Sequence, residues 1–447
     1  MKKSVLTTRL IWLGKICKVK YVTIRVTTLL GGIFLFSQLL LSQHTIDSQV
    51  DRLHQYAGHW VSSVHTDTDS IGKYPSIKMN NISKMDNHSL QVEVLQYKDG
   101  EYNPLLIELI SYDSKSAKII ALGQNMEGIV FKGKGHFSNE KKWEMQDVDM
   151  LGDFYMQVKF DFQNFTNVLL EGFDESGTSL WETRYIKLNP KDKNIGIQLV
   201  SVHQEMLKDP VETLLELSRM GYSYVETFVY DNGTFYGMSP TEFRKVVEAQ
   251  GMQFLGSMTF HNLPAYNSWE SSMKWWSKCI DDHLAAGVKY LTTSNNQLKS
   301  VTTKAELQRY CDYYNAIGKL CKEKGITFAY HNHADEFRMI EGVRIYDYLL
   351  ENTDSAYVYF QADIYWMDVG GVKPIGYFRK HPGRFLSWHI KDYKELGASG
   401  KINWMELFHD PDFELPTYMV TEVEDYSYPP MFSVQLAWEY LYYEILD

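Results

Sequence analysis

The chain has 447 residues, 44% of them hydrophobic, and 56 acidic against 45 basic side chains give it a formal charge of −11. That length leaves room for two or three domains with cores of their own. The acidic balance speaks against nucleic acid and against anionic membrane surfaces as partners, since both select basic patches. The four cysteines, Cys17, Cys279, Cys311 and Cys321, fit neither a zinc motif nor a disulfide framework and are expected to be free thiols.

Residues 1–43 have the composition of a signal peptide. Lys2, Lys3, Arg9, Lys15, Lys18, Lys20 and Arg25 form a basic stretch, and "TTLLGGIFLFSQLLLSQ" follows as an apolar core shorter than a typical membrane span. An uncleaved N-terminal anchor is the alternative. No cysteine directly follows the apolar core, which argues against lipoprotein processing. The expectation is export to a periplasm, with no membrane association once the segment is cleaved.

Residues 44–188 read as all-β. Alternating runs such as "LQVEVLQY" and "AKIIALG" are separated by hairpin signals at Asp99-Gly100 and in "DESGTS". Gly58-x-Trp60 opens the region and Arg184 closes it, a pairing that resembles the closure of a lipocalin-like barrel. A β-sandwich is the alternative. The polar stretch at 189–193 reads as a linker.

From 194 to 447 the pattern changes. Eight strand-like runs, "NIGIQLV", "YSYVETF", "QFLGSMTF", "VKYLTT", "ITFAYH", "AYVYFQAD", "RFLSWHIK" and "TYMVTEVE", alternate with amphipathic segments. The clearest of these are 210–220, 240–250 and 304–324, the first two with proline where a first helical turn accepts it. The count and the length predict a (β/α)8 TIM barrel, so the fold class is α/β with an all-β domain in front. A doubly wound sheet would want a Gly-rich loop after its first strand, and "IQLVSVHQEM" has none.

In such a barrel the chemistry sits at the C-terminal ends of the strands. These ends carry Gln198, Glu226, His261, then His331, His333 and Glu336 in "YHNHADEF", then Asp363 with Trp366, His389 with Lys391, and Glu422 with Glu424. An Asp, a His and a Glu on three consecutive strand ends can converge on one point. With a histidine from the fifth strand they make a ligand set for a divalent cation such as Mn, Co, Mg or Zn. The expected ligands are His333, Asp363, His389 and Glu422, although spacing does not separate His331 from His333. Trp388 should point into the helix layer, because its neighbour His389 points inward.

The stretches "IGIQLVSV", "GYSYVE", "YGMSPTEFRK", "YHNHADEF", "DIYWMDVGG", "YFRKHPGRFLSWHIKD" and "VTEVE" resemble the sugar phosphate isomerase/epimerase group of xylose isomerase-like barrels. The resemblance implies a divalent metal held by the histidine cluster of strand five with Asp363, His389 and Glu422. The epimerase branch carries a glutamate on strand five and a histidine where Trp366 stands. The "YHNH" pattern is closer to lyases and hydratases acting on 3-keto-glycosides. The implied chemistry is proton abstraction next to a carbonyl. His331, His333 and Glu336 are candidate bases. His261 and Lys391 are candidate acids, with Lys391 alternatively steadying an oxyanion. Gln198, Glu226 and Trp366 are expected to contact a small carbohydrate substrate. A sugar isomerase or epimerase, and a non-catalytic sugar-binding barrel, are the other readings. A homo-oligomer is left open.

Overall fold

A computed structural model describes residues 46–446 except Asp67, Asp86 and Asn295. The expected signal segment at 1–43 and Cys17 lie outside the described residues. Ten antiparallel strands, from β1 (Gly58–Ser62) to β10 (Ser179–Lys187), follow one another around a closed barrel. Alternation is strict in β6 (Val130–Phe137): Phe131, Gly133, Gly135 and Phe137 face inward while Lys132, Lys134 and His136 face solvent. One closed sheet forms, in place of the two sheets of a sandwich. Closure pairs β1 with β10 and sets Trp60 opposite Lys187. The Lys187 ammonium lies 4.9 Å from the ring of the buried Trp60. Arg184, the residue expected to close the barrel, instead donates to the Thr66 carbonyl and to Asn167 Oδ1.

Eight parallel strands close a second barrel: β11 (Ile195–Gln198), β12 (Tyr224–Thr227), β13 (Gln253–Met258), β14 (Tyr290–Thr293), β15 (Thr327–His331), β16 (Val358–Asp363), β17 (Phe385–Lys391) and β18 (Tyr418–Glu422). They are the eight runs picked out by alternation. The helices between them start where the caps put them. Ser239 and Glu242 form a capping box ahead of Pro240–Ala249, and Thr303 and Glu306 do the same for Lys304–Lys324. The second of these helices ends on Gly325 at φ 86°, a left-handed conformation that glycine adopts without steric cost. Trp388 is buried against Phe378 in the helix layer, as its parity requires. Cys279, Cys311 and Cys321 are buried free thiols.

The two barrels pack side by side through polar groups that water does not reach. His54, at the end of the short helix Gln49–His54, bonds Glu439 at 2.6 Å, and Gln435 donates to the other Glu439 oxygen at 2.8 Å. Phe165 stacks on Phe432 at 5.5 Å. Burial opposes the Glu439 anion, but His54 and Lys187 outweigh it and hold the carboxyl below its usual range. Asn189, expected in a free linker, is buried: its Oδ1 accepts from the His59 amide and its Nδ2 donates to the Met220 carbonyl.

Inside the antiparallel barrel, β4 (Glu101–Asp113) and β7 (Lys142–Asp149) bury Glu108 and Asp147. Burial, and then the neighbouring Asp147, push Glu108 up to about 8, and burial pushes Asp147 up to about 7. Both are therefore protonated in the fold at a pH where the unfolded chain has released the proton. That stabilisation is complete below about pH 4. It is lost as the pH rises through about 7 to 8. Thermal melts of the whole chain at pH 5.5 and 8.5 should show a loss of stability at the higher pH. Glu108→Gln should flatten that difference, and an unchanged slope in the variant would contradict the assignment.

Candidate active site

Strand register brings the polar strand ends together. Gln198 pairs with Glu226, His331 with Gln361, Asp363 with His389, and Lys391 with Glu422. Asp363 is fully buried and ends β16. Its Oδ1 accepts the Trp366 amide at 2.9 Å and so caps the helix Ile364–Val369. The Asn332 side chain clamps its backbone at both polar atoms, at 3.1 and 3.3 Å. That leaves Oδ2 buried with no hydrogen-bond partner, 4.0 Å from His331 Nε2.

His389 extends the cluster. One donor atom from each of His331, Asp363 and His389 lies within 4.8 Å of the others, and all three residues are buried. Glu422 Oε2 stands 2.7 Å from His389 Nδ1, but the approach does not follow an N–H direction, and Nδ1 makes no hydrogen bond. A buried carboxylate oxygen with no hydrogen-bond partner, beside two imidazoles, suits a divalent cation, because an orphaned buried polar atom is otherwise costly. Imidazole and carboxylate donors fit Zn, Mn or Co. The strand-five histidine in this cluster is His331. His333, the expected one, lies beyond the strand end, where its Nδ1 pairs with Ser294 Oγ at 3.0 Å and its ring packs on Trp366 at 5.5 Å.

Electrostatics follow burial and charge. Burial, with His389 and His333 nearby, holds His331 well below the usual histidine range, so it is neutral. Burial and then Lys391 bring His333 down to about 4. Burial also works against the His389 cation, but Glu422 and Glu226 outweigh it and raise its pKa to about 10. Lys391 stays charged for the same reason: burial opposes the ammonium, and Glu422, Asp363 and Glu424 overcome it. Its Nζ donates to Glu422 at 2.9 Å and to Glu424, and it lies 5.2 Å from the Trp366 ring and 5.3 Å from the Tyr365 ring.

Three other expectations are corrected. Glu336 is not a base at the cluster. It accepts from the Tyr330 hydroxyl at 2.6 Å and from the His333 amide at 3.0 Å, so both oxygens hold the turn that carries His333. Gln198 and Glu226 do not face a substrate space: both are buried, and Gln198 Nε2 donates to Glu226 at 2.7 Å. His261 stacks on Trp275 at 4.2 Å, and among the described residues no contact ties it to the cluster. Two residues were missed. Gln361 bonds His331, Glu226 and Ser387, and Ser294 bonds His333. Gln361 had a signal: it precedes Asp363 by two residues and therefore shares its inward face.

Residues 214–435 match the family model of the xylose isomerase-like TIM barrel. The match takes in most of the parallel barrel. A sugar phosphate isomerase/epimerase from Parabacteroides distasonis superposes on this TIM barrel with a TM-score of 0.52 and 28% identity, over 57% of this chain and 99% of that one. A second from the same organism, at 24% identity and a TM-score of 0.53, covers 57% and 95% and shares the fold. An inosose dehydratase from Clostridium tetani is 26% identical over 140 residues, 30% of this chain and 45% of its own length. One from Salmonella agona is 34% identical over 122 residues, 25% of this chain and 38% of its own. The chain spans less than half the length of these curated relatives. They are carbohydrate-modifying enzymes of one superfamily.

The choice between the two histidines is testable. His331→Ala and Asp363→Asn should abolish stoichiometric binding of Mn²⁺ or Co²⁺ measured by calorimetry, whereas His333→Ala should keep the affinity within a few-fold. Loss of binding in His333→Ala alone would reverse the assignment.

Proposed function

We propose that this chain is an exported, divalent-metal-dependent carbohydrate enzyme that removes a proton next to a carbonyl, and that it acts as a lyase or hydratase on 3-keto-glycosides. The observation that carries this reading is Asp363 Oδ2, buried with no hydrogen-bond partner in a cluster with His331 and His389, beside cationic Lys391. A cation held by His331, Asp363, His389 and Glu422 would supply Lewis acidity toward a ketone oxygen.

The residues around it supply the rest. His333 is neutral and half-buried next to Trp366, and it takes the C2 proton of the sugar as general base. Lys391 holds its proton too tightly to serve as a general acid. Its fixed positive charge instead stabilises the enediolate that forms. Trp366 offers a flat wall to the sugar ring. In a 3-keto-glycoside the C2–H electron pair becomes the C1=C2 double bond. The C1–O bond pair then leaves with the aglycone oxygen, which takes up the proton that His333 removed from C2. The products are an unsaturated keto sugar and an alcohol.

The second reading is a sugar isomerase or epimerase, favoured by the description of the Parabacteroides structures. A two-carboxylate epimerisation wants an acid residue on strand five opposite Glu422, and strand five ends in His331. The basic-then-apolar segment at 1–43 supports export, and neutral or oxidised glycosides are more available outside a cell than sugar phosphates.

Purified protein loaded with Mn²⁺ or Co²⁺ should release the aglycone from a 3-keto-glycoside and leave sugar phosphates untouched. Turnover of phosphates alone would overturn the substrate assignment. His333→Gln should lower kcat by about 10²- to 10⁴-fold, the range of general-base contributions. Its metal content should stay unchanged.

A further inference from the structure

The ring ligands of the cluster use opposite nitrogens. His331 turns Nε2 toward Asp363, and His389 turns Nδ1 toward Glu422. Each can act as a ligand only if the proton of the neutral ring sits on the other nitrogen. What places those protons lies one layer deeper.

Glu226 is fully buried and is met by three N–H donors: Gln198 Nε2 at 2.7 Å, His389 Nε2 at 2.7 Å and Gln361 Nε2 at 2.8 Å. Oε1 accepts from the Gln198 amide and Oε2 from the Gln361 amide, so both oxygens act as acceptors. His389 must therefore keep a proton on Nε2, so the proton it gives up to act as a ligand is the one on Nδ1, beside Glu422. The Gln361 amide must turn its NH₂ toward Glu226, where Ser387 Oγ also accepts at 3.1 Å. Its carbonyl end is then left facing His331 Nδ1 at 3.0 Å, and a carbonyl accepts only from N–H. His331 is thereby fixed as the Nδ1–H tautomer with its lone pair on Nε2.

We infer that Glu226 sets the tautomers of both ring ligands, His389 by direct contact and His331 through the amide of Gln361. Glu226 and Gln361 are positioning residues. The relay rests on the metal reading for its purpose, but the tautomer of neutral His331 exists without metal.

The amide direction makes the relay testable. In Glu226→Gln the new side chain has one NH₂ end and one carbonyl end. Gln198 and His389 both donate to Oε1, so that side keeps the carbonyl, and the NH₂ faces Gln361. Gln361 then reverses and offers its own NH₂ to His331 Nδ1. His331 moves its proton to Nε2, into the cluster, although it does not touch residue 226.

The measurement is two-bond ¹⁵N–¹H correlation on histidine-labelled, chelator-treated full-length protein, with His331 signals assigned by their loss in His331→Gln. Wild type should show His331 as Nδ1–H, and Glu226→Gln should show it as Nε2–H. An unchanged His331 tautomer in Glu226→Gln, or Nε2–H in wild type, would overturn the relay. Co²⁺ affinity should fall about 10- to 100-fold in Glu226→Gln, the usual effect of removing such a partner. The expected tautomers without Co²⁺ binding in wild type would leave the relay standing and sink the metal reading. Should Glu226→Gln fail to fold by circular dichroism, Gln361→Met decides. It removes the acceptor of His331 and leaves Glu226 on His389, so His331 should lose its exclusive Nδ1–H form; retention of that form would refute the role of Gln361.

Discussion

A carboxylate removed from water must find donors, and Glu226 finds them on three different strands of the parallel barrel: Gln198 on β11, Gln361 on β16 and His389 on β17. A buried charge so satisfied is expensive to disturb, because removing one partner leaves the others uncompensated. The strands are thereby tied together at one depth. Above that layer, Asp363 and His331 are held by groups that leave one atom of each directed into the same space. The cluster is ordered from below, by the buried layer of Glu226, Gln198 and Gln361.

The contact between the barrels follows the same rule. Lys187 caps Trp60 inside the antiparallel barrel, donates to the Gln55 carbonyl and lies in the field of Glu439 from the other barrel. His54 completes the pairing with Glu439. Charges that neither barrel could bury alone neutralise one another across the boundary, with Phe165 on Phe432 as the apolar part of the contact. The antiparallel barrel is a fixed flank of the TIM barrel.

Much of this was legible in the residues. The eight parallel strands announce themselves because strands covered on both faces must be apolar almost throughout, and helix caps such as Ser239 and Thr303 are local signals. That Asp363 and His389 converge at their strand ends was readable for the same reason of parity. The distinction between His331 and His333 was not, since period two puts both on one face and only the backbone turn after His331 separates them. Depth was hidden as well. Whether Glu226 faces a substrate or a lower layer depends on register with Gln198 and Gln361, which no single strand encodes. The same register makes Lys187, three residues beyond Arg184, the neighbour of Trp60.

Both joints of the molecule close late along the chain. The parallel barrel is sealed only when β18, at Tyr418–Glu422, pairs with β11, and the contact between the barrels waits for the helix Pro430–Glu439. A ribosome therefore finishes the antiparallel barrel long before the partner for its buried cation and its aromatic contact has been made. Until that helix emerges, His54, Lys187 and Phe165 lack their partners, and contacts of such long sequence separation form slowly. The order of synthesis runs against the order of assembly, because the groups of the antiparallel barrel wait for a helix far downstream in the sequence.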